Sequence, residues 1–277
     1  MTRQQLDEFR EFLGNSSVSD NTIRAYMYDL ESFLKSEETY FDVDMYSPAT
    51  LERRKCSMNS FYRFTDEEKK IIFKQFIKSV PYQEDCIENE EVKIILNFLD
   101  EEFEKKKTFK TKRRELLKKT AVSLGINQGL RVCEYRNLEF GRKEIEIKNS
   151  KGGGFRTIPL TEDTLEVIEK LSKFVGKSTG FVFLKEDGKF ICHRTFQLWL
   201  ADNAKAAGLS GGHYNTHSLR HRFARNYLKA TQGRIEQLSL IMGHRSIQTT
   251  IMYTRPTRQD IELGMNNASV FNINMYD

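Results

Sequence analysis

Six side chains, Arg131, Lys151, His217, Arg220, His244 and Tyr253, have the types and spacing to do chemistry together. When a nucleophile attacks a phosphodiester, the non-bridging oxygens of the transition state carry spread negative charge, which a pair of guanidiniums can hold bidentately. Arg131 and Arg220 are the candidates for that pair. His217 and Arg220 stand at i and i+3 in His217-Ser218-Leu219-Arg220-His221-Arg222-Phe223-Ala224, so on a helix both project from one face toward one ligand. Tyr253, in Thr249-Thr250-Ile251-Met252-Tyr253-Thr254, is the candidate nucleophile. A phenol with a pKa near about 10 needs adjacent positive charge or a base to lose its proton as it attacks, and Arg220 and His217 can supply this. The departing 5′ alkoxide needs a proton in turn, for which a lysine on a flexible hairpin is suited. Lys151 lies in the glycine-rich turn Asn149-Ser150-Lys151-Gly152-Gly153-Gly154, between strand-like runs 144–148 and 155–160, with Lys148 as a neighbouring alternative. His244, in Met242-Gly243-His244-Arg245-Ser246, would add one hydrogen bond to the phosphate.

Taken singly, each residue also fits an ordinary structural role. Arg131 and Glu134 can form a surface ion pair worth about 0.5 kcal/mol, and Lys151 can be solvated in its turn. His217 can be a satisfied structural histidine, and Tyr253 one of eleven tyrosines packed with its hydroxyl on backbone. The cysteines at 56, 86, 133 and 192 have no Cys-x-x-Cys spacing, so no metal site is expected, and the proposed chemistry requires no cofactor.

In combination the residues resemble the tyrosine recombinases, the family of phage integrases and Xer-type resolvases, over nearly the whole chain. Gly129-Leu130-Arg131-Val132-Cys133-Glu134 is similar to the family's first arginine box, with Glu134 in support. Ser150-Lys151-Gly152-Gly153-Gly154-Phe155-Arg156-Thr157-Ile158-Pro159-Leu160 is similar to its lysine hairpin, and His217-Ser218-Leu219-Arg220-His221 to its His-x-x-Arg box. Gly243-His244, followed by Thr249-Thr250 and by Tyr253 nine residues after the histidine, is similar to its closing box. Any one box is weak evidence; four in order, with the tyrosine at the expected offset, are strong. The resemblance implies site-specific recombination of double-stranded DNA through a 3′-phosphotyrosyl bond, by a homotetramer on paired sites that passes through a Holliday junction. It also implies that residues 259–277 dock on a neighbouring protomer, with Val270, Phe271 and Ile273 as apolar anchors. Accessory DNA-bending or directionality proteins are further expected partners. Two other readings stay open: a sequence-specific DNA-binding regulator on the same fold that no longer cuts, and a type IB topoisomerase. The intact boxes argue against the first; the short tail and the helical N-terminal region argue against the second.

The elements that must position these groups are mostly helical. Leu6, Phe9 and Leu13 at helical spacing predict a helix over 3–14, and Ser19-Asp20-Asn21-Thr22 opens a second with Ile23, Tyr26, Leu30, Phe33 and Leu34 on one side. Further helices are expected at about 48–63 and 66–79, then at 90–104 and 109–128, with a later one from Thr195 to Ala207. A short strand is expected over Phe181-Val182-Phe183-Leu184. The expected fold is mostly α with a small antiparallel β-sheet, in two domains. Residues 1–80 would form a helical core-binding domain, 81–90, with Pro81 and the acidic run from Glu84, a linker, and 91–277 the catalytic domain with its tail. Arg24, Arg53, Arg54 and Lys55 are the candidate phosphate contacts of the first domain, against the equally good reading that they are ordinary exposed charges.

Composition fits a DNA partner without establishing one. The 277 residues carry a formal charge of +5. Residues 1–90 hold 12 Lys and Arg against 18 Asp and Glu, a balance of −6, and residues 91–277 hold 32 against 21, a balance of +11. Positive charge therefore gathers in the half that carries the boxes, which favours a polyanionic partner there. The start, Met1-Thr2-Arg3-Gln4-Gln5, lacks an apolar signal segment, and no apolar run approaches the roughly 18 residues that span a membrane, so a cytoplasmic protein is expected.

Overall fold

The computed structural model describes residues 1–35, 46, 48–66, 86–148, 155–211, 214–244, 246–256 and 258–268. The chain divides into two compact units, Met1–Ser79 and Val80–Asp277. No helix among the described residues is long and apolar enough to cross a membrane.

The first unit contains α1 (Arg3–Gly14), α2 (Asp20–Lys35) and α3 (Pro48–Phe64). Thr2 opens α1 with a reciprocal capping box to Gln5, which satisfies two of the amide groups a helix start leaves bare. The apolar spacing read from the sequence then closes on itself. Leu6, Phe9 and Leu13 pack with Met27, Leu30, Met58 and Phe61 in one core. Phe9 meets Phe61 edge-on at 5.5 Å. The helix expected over 66–79 lies outside the described residues, apart from Asp66.

The second unit is built on α5 (Phe109–Asn127), whose residues from Glu115 to Gly125 are mostly buried. Around it lie α4 (Asn89–Lys105), α6 (Glu162–Val175), α7 (His193–Ala206) and α8 (Thr216–Ala230). Strands β1 (Glu144–Lys148) and β2 (Phe155–Pro159) form an antiparallel hairpin in which Ile145 faces Ile158 and Ile147 faces Arg156. Because side chains alternate across a strand, Ile145, Ile147, Ile158 and Arg156 share the face turned to the core. The expected strand over 181–184 does not form as such. Phe181 bridges Glu139 and Leu184 bridges Phe190, one isolated bridge each, so the segment is shared between two neighbours and builds no ladder. Between them Val182 and Phe183 are buried in succession, a pattern set by packing rather than by strand alternation. The unit closes with α9 (Ile235–Met242), the single turn α10 (Gln248–Ile251), a 3-10 turn over Met252–Thr254, and α11 (Arg258–Ala268).

Candidate active site

The site forms where three chain turns meet. Helix α5 ends at Asn127, and Gly129 takes a left-handed conformation, φ +61°, that turns the chain into Arg131. Any side chain at Gly129 would also strike the ring of Phe223, with its Cβ 2.2 Å away. Arg131 then caps a 3-10 turn over Val132–Asn137, and its backbone amide donates to Glu134 Oε2 at 2.8 Å. Helix α9 ends in the same way at Gly243, φ +61°, which delivers His244 to the site.

The free carbonyls at the end of α9 become acceptors for the two candidate arginines. Met242 O accepts from Arg131 Nη1 at 3.0 Å and from Arg220 Nη2 at 2.7 Å, and Gly243 O accepts from Arg131 Nη2 at 3.4 Å. A helix C-terminus carries unsatisfied carbonyls and partial negative charge, so it suits guanidiniums. Arg220 also donates to Gly129 O at 2.6 Å and is 1% exposed. Burial, then neighbouring Arg131, lowers its pKa to about 10, which still leaves it charged at neutral pH. Glu134 answers part of this charge, with Oε1 at 3.1 Å from Arg131 Nη1 and Oε2 at 3.9 Å from Arg220 Nη1.

His244 places Nε2 at 3.2 Å from Arg220 Nη2 and Nδ1 at 2.8 Å from Thr250 Oγ1. Arginine can only donate, so Nε2 is the acceptor and the proton sits on Nδ1, donated to the threonine. Burial, followed by Arg220 and Arg131, pushes its pKa down to about 4 and keeps the ring neutral. His244 here faces an arginine rather than open solvent, so it orients Arg220 in this state.

Tyr253 is buried, its ring edge-on to His221 at 5.1 Å and nearly parallel to His244 at 6.2 Å. Burial raises the phenol pKa while Arg220 and Arg131 pull it down, so the hydroxyl holds its proton at neutral pH and the arginines favour its loss. His217 is exposed on α8, one turn from His221, with ring centroids 4.6 Å apart. Although the residue reaches solvent, its ring is partly desolvated by its neighbours, and this first, then Arg220 and Arg131, lowers its pKa.

Five of the six predicted residues, together with Glu134, thus meet from four segments: Arg131 and Glu134 from the 3-10 turn after α5, His217 and Arg220 from α8, His244 from the end of α9, and Tyr253 from the turn over 252–254. Lys151 lies outside the described residues. Three neighbours were not singled out from the sequence. His221 carried a signal, since it follows His217 by four positions on one helix face. Arg156 carried another, since it is in phase with Ile158 on the inward side of β2. Thr250 carried none that distinguishes it from Thr249. In the first unit Arg24 is exposed, Arg53 binds Asp29 bidentately at 2.9 and 2.7 Å, Arg54 is buried beneath the Tyr46 ring at 3.8 Å, and Lys55 pairs with Glu52 at 3.2 Å.

Residues 86–260 match the family model described as the phage integrase family, and the chain belongs to that family, the tyrosine recombinases. Among its relatives, the tyrosine recombinase of Thermosipho africanus is 26% identical, with 92% of this chain and 96% of that protein covered. The tyrosine recombinase XerA of Pyrococcus furiosus is also 26% identical, covering 96% of this chain and 94% of the relative. The fold is shared with a XerH site-specific recombinase solved on palindromic difH substrate in a post-cleavage complex, with TM-score 0.67, 19% identity, and 97% and 84% of the two chains covered. It is likewise shared with a lambda integrase solved as a tetramer on a Holliday junction, with TM-score 0.67, 18% identity, and 90% and 76% covered.

Proposed function

We propose that this protein is a site-specific recombinase that cuts and rejoins double-stranded DNA through Tyr253. The observation that carries the reading is the convergence of Arg131, Arg220 and His244 beside a buried tyrosine. In this reading Arg131 and Arg220 bind the non-bridging oxygens of the scissile phosphate, where preorganised donors count most as charge develops. The Tyr253 oxygen attacks phosphorus as its proton passes to neutral His217, a 3′-phosphotyrosyl bond forms as the bond to the 5′ oxygen breaks, and Lys151 protonates that oxygen to a 5′-hydroxyl. His217, at the exposed edge of the site, hydrogen-bonds the bound phosphate. The covalent bond conserves the energy of the cut, so a partner strand's 5′-hydroxyl reverses the step and no cofactor is consumed. The unit Met1–Ser79 serves as the core-binding domain, with Arg24 as its exposed phosphate contact, and four copies assemble on two sites.

Covalent trapping tests this directly. Wild type and Tyr253→Phe are incubated with nicked duplexes from the DNA flanking the gene, and protein–DNA adducts that survive SDS are counted. We expect an adduct with wild type alone, and DNA affinity of the variant within a few-fold, because only the attacking oxygen is lost. An adduct of equal yield with Tyr253→Phe refutes the nucleophile; sequence-specific binding without any adduct moves the protein to the non-cleaving regulators.

A further inference from the structure

The one buried carboxylate of the site, Glu134, faces a third guanidinium that the mechanism does not use. Arg156 projects from the inward face of β2, with 12% of its side chain exposed. Its Nη2 donates to Glu134 Oε1 at 2.8 Å and its Nε to Ile241 O at 3.0 Å. Its guanidinium also packs against Gly243, where a Cβ would come within 2.6 Å of Nη1. One side chain thus ties β2, the 3-10 turn that carries Arg131, and the end of α9 whose Met242 carbonyl holds both Arg131 and Arg220.

We propose that Arg156 is a positioning residue of the cleavage reaction: it satisfies Glu134 and braces the end of α9, so that Arg131 and Arg220 stay aimed at the phosphate. The inference rests on the phosphodiester-cleaving reading above. A buried carboxylate draws whatever cation is in reach, and in the absence of Arg156 the only guanidiniums beside Glu134 Oε1 and Oε2 among the described residues are Arg131 and Arg220. Those are the groups that must turn to an anionic ligand. Arg156 takes the closest of the three contacts to Glu134, and Arg131 keeps 38% of its side chain exposed for a ligand. The helix end matters equally. With Ile241 O released and the space beside Gly243 empty, the Met242 carbonyl loses its support, and a shift of about 1 Å in reacting groups costs on the order of a hundredfold in rate.

The test uses the full chain and the nicked duplex on which wild type forms its adduct, in two versions: the natural phosphodiester, and a methylphosphonate in which a methyl replaces one non-bridging oxygen at the scissile position. The second substrate is uncharged there and asks less of the arginines. Arg156→Ala is expected to slow cleavage of the phosphodiester by about 10- to 100-fold, with DNA affinity close to wild type and a lowered Tm, since Glu134 and Ile241 O each lose a partner; cleavage is therefore compared below the variant's melting transition. Its deficit should shrink at least about threefold on the methylphosphonate, because less charge needs to be met. Arg156→Lys, which keeps the charge but can reach only one partner at a time, should fall between the two. Cleavage by Arg156→Ala within threefold of wild type overturns the inference, and so does an equal deficit on both substrates, the mark of a merely structural role. If Arg156→Ala fails to fold, Arg156→Lys is judged by the same substrate comparison. Absence of a wild-type adduct on any duplex that the protein binds specifically overturns the cleavage reading and this inference with it, an outcome distinct from a wild-type adduct that Arg156 does not affect.

Discussion

The cations of the first unit and those gathered at the candidate site of the second are held in opposite ways. In Met1–Ser79, Arg10 is answered by Glu31 at 3.2 Å, Arg53 by the fully buried Asp29, and Lys55 by Glu52, while Arg54 is itself buried. In Val80–Asp277, Glu134 meets Arg131, Arg156 and Arg220 together, and the surplus charge is held by backbone carbonyls of Gly129, Ile241, Met242 and Gly243. Carbonyls orient a guanidinium without cancelling its charge. The first arrangement spends cations on holding three helices together; the second preserves positive charge at a point where an anion is to be bound. Burying unneutralised charge costs stability, so its persistence in the second unit points to a use.

The harshest way to break the contrast is Arg220→Ala. It removes a transition-state contact and should lower the rate of adduct formation at least about a hundredfold, some 3 kcal/mol. It also strips the buried Gly129 carbonyl of its Arg220 donor, at a cost of about 1 to 3 kcal/mol when left unsatisfied, while Met242 O keeps the hydrogen bond from Arg131. Single-turnover cleavage measured beside a thermal melt separates the two effects. A variant slowed less than tenfold would place Arg220 outside the reacting centre.

How much of this was legible in the sequence depends on whether a residue acts through a short local pattern. The first helix was legible, because Leu6, Phe9 and Leu13 repeat at the period that buries one face, whereas α5 is mostly buried all round from Glu115 to Gly125 and shows no such stripe. The boxes were legible because residue type and order survive without coordinates. The carbonyl acceptors were not, since a backbone oxygen has no letter, and the link from Arg220 to Met242 or Gly129 exists only once α5, α8 and α9 have packed. For the same reason the letters did not show that Arg131 caps a 3-10 turn whose Glu134 reaches back to its amide. In the first unit, Arg53, Arg54 and Lys55 look alike as letters. Only the fold shows that Arg53 faces a buried aspartate and that Arg54 is enclosed.

A smaller effect tests the first half of the comparison. Phe61 is fully buried against Phe9 at the centre of the N-terminal core. Phe61→Ala should cost about 3 to 5 kcal/mol through lost contact and an unfilled cavity. In calorimetry the transition of the first unit should fall while that of the second keeps its Tm. Both transitions moving together would show that the units melt as one cooperative body, and the contrast between their charge economies would then have to be read as one ledger.

The mildest prediction turns on pH. His221 is pushed down to about 4, first by burial and then by His217 and Arg220, and His244 to about 4 by burial and Arg220. An unfolded histidine titrates near about 6.5, so between that value and about 4 the unfolded chain binds more protons than the folded one. Stability contributed by these rings therefore rises with pH through that window and is lost as pH falls through it. Every histidine of the chain, at 193, 213, 217, 221 and 244, lies in the second unit. The first unit's buried acid works in the other direction: Asp29 is raised, chiefly by burial and against Arg53, so the folded form holds its proton more tightly and gains relative stability as pH falls. Acidification from pH 7.5 to 5 should thus lower the melting transition of the second unit ahead of the first. His221→Phe keeps a ring against Tyr253 but cannot take a proton, so it should flatten that slope. An unchanged slope in His221→Phe would mean that His221 does not set the acid sensitivity of the second unit, leaving His244 as the ring to replace next.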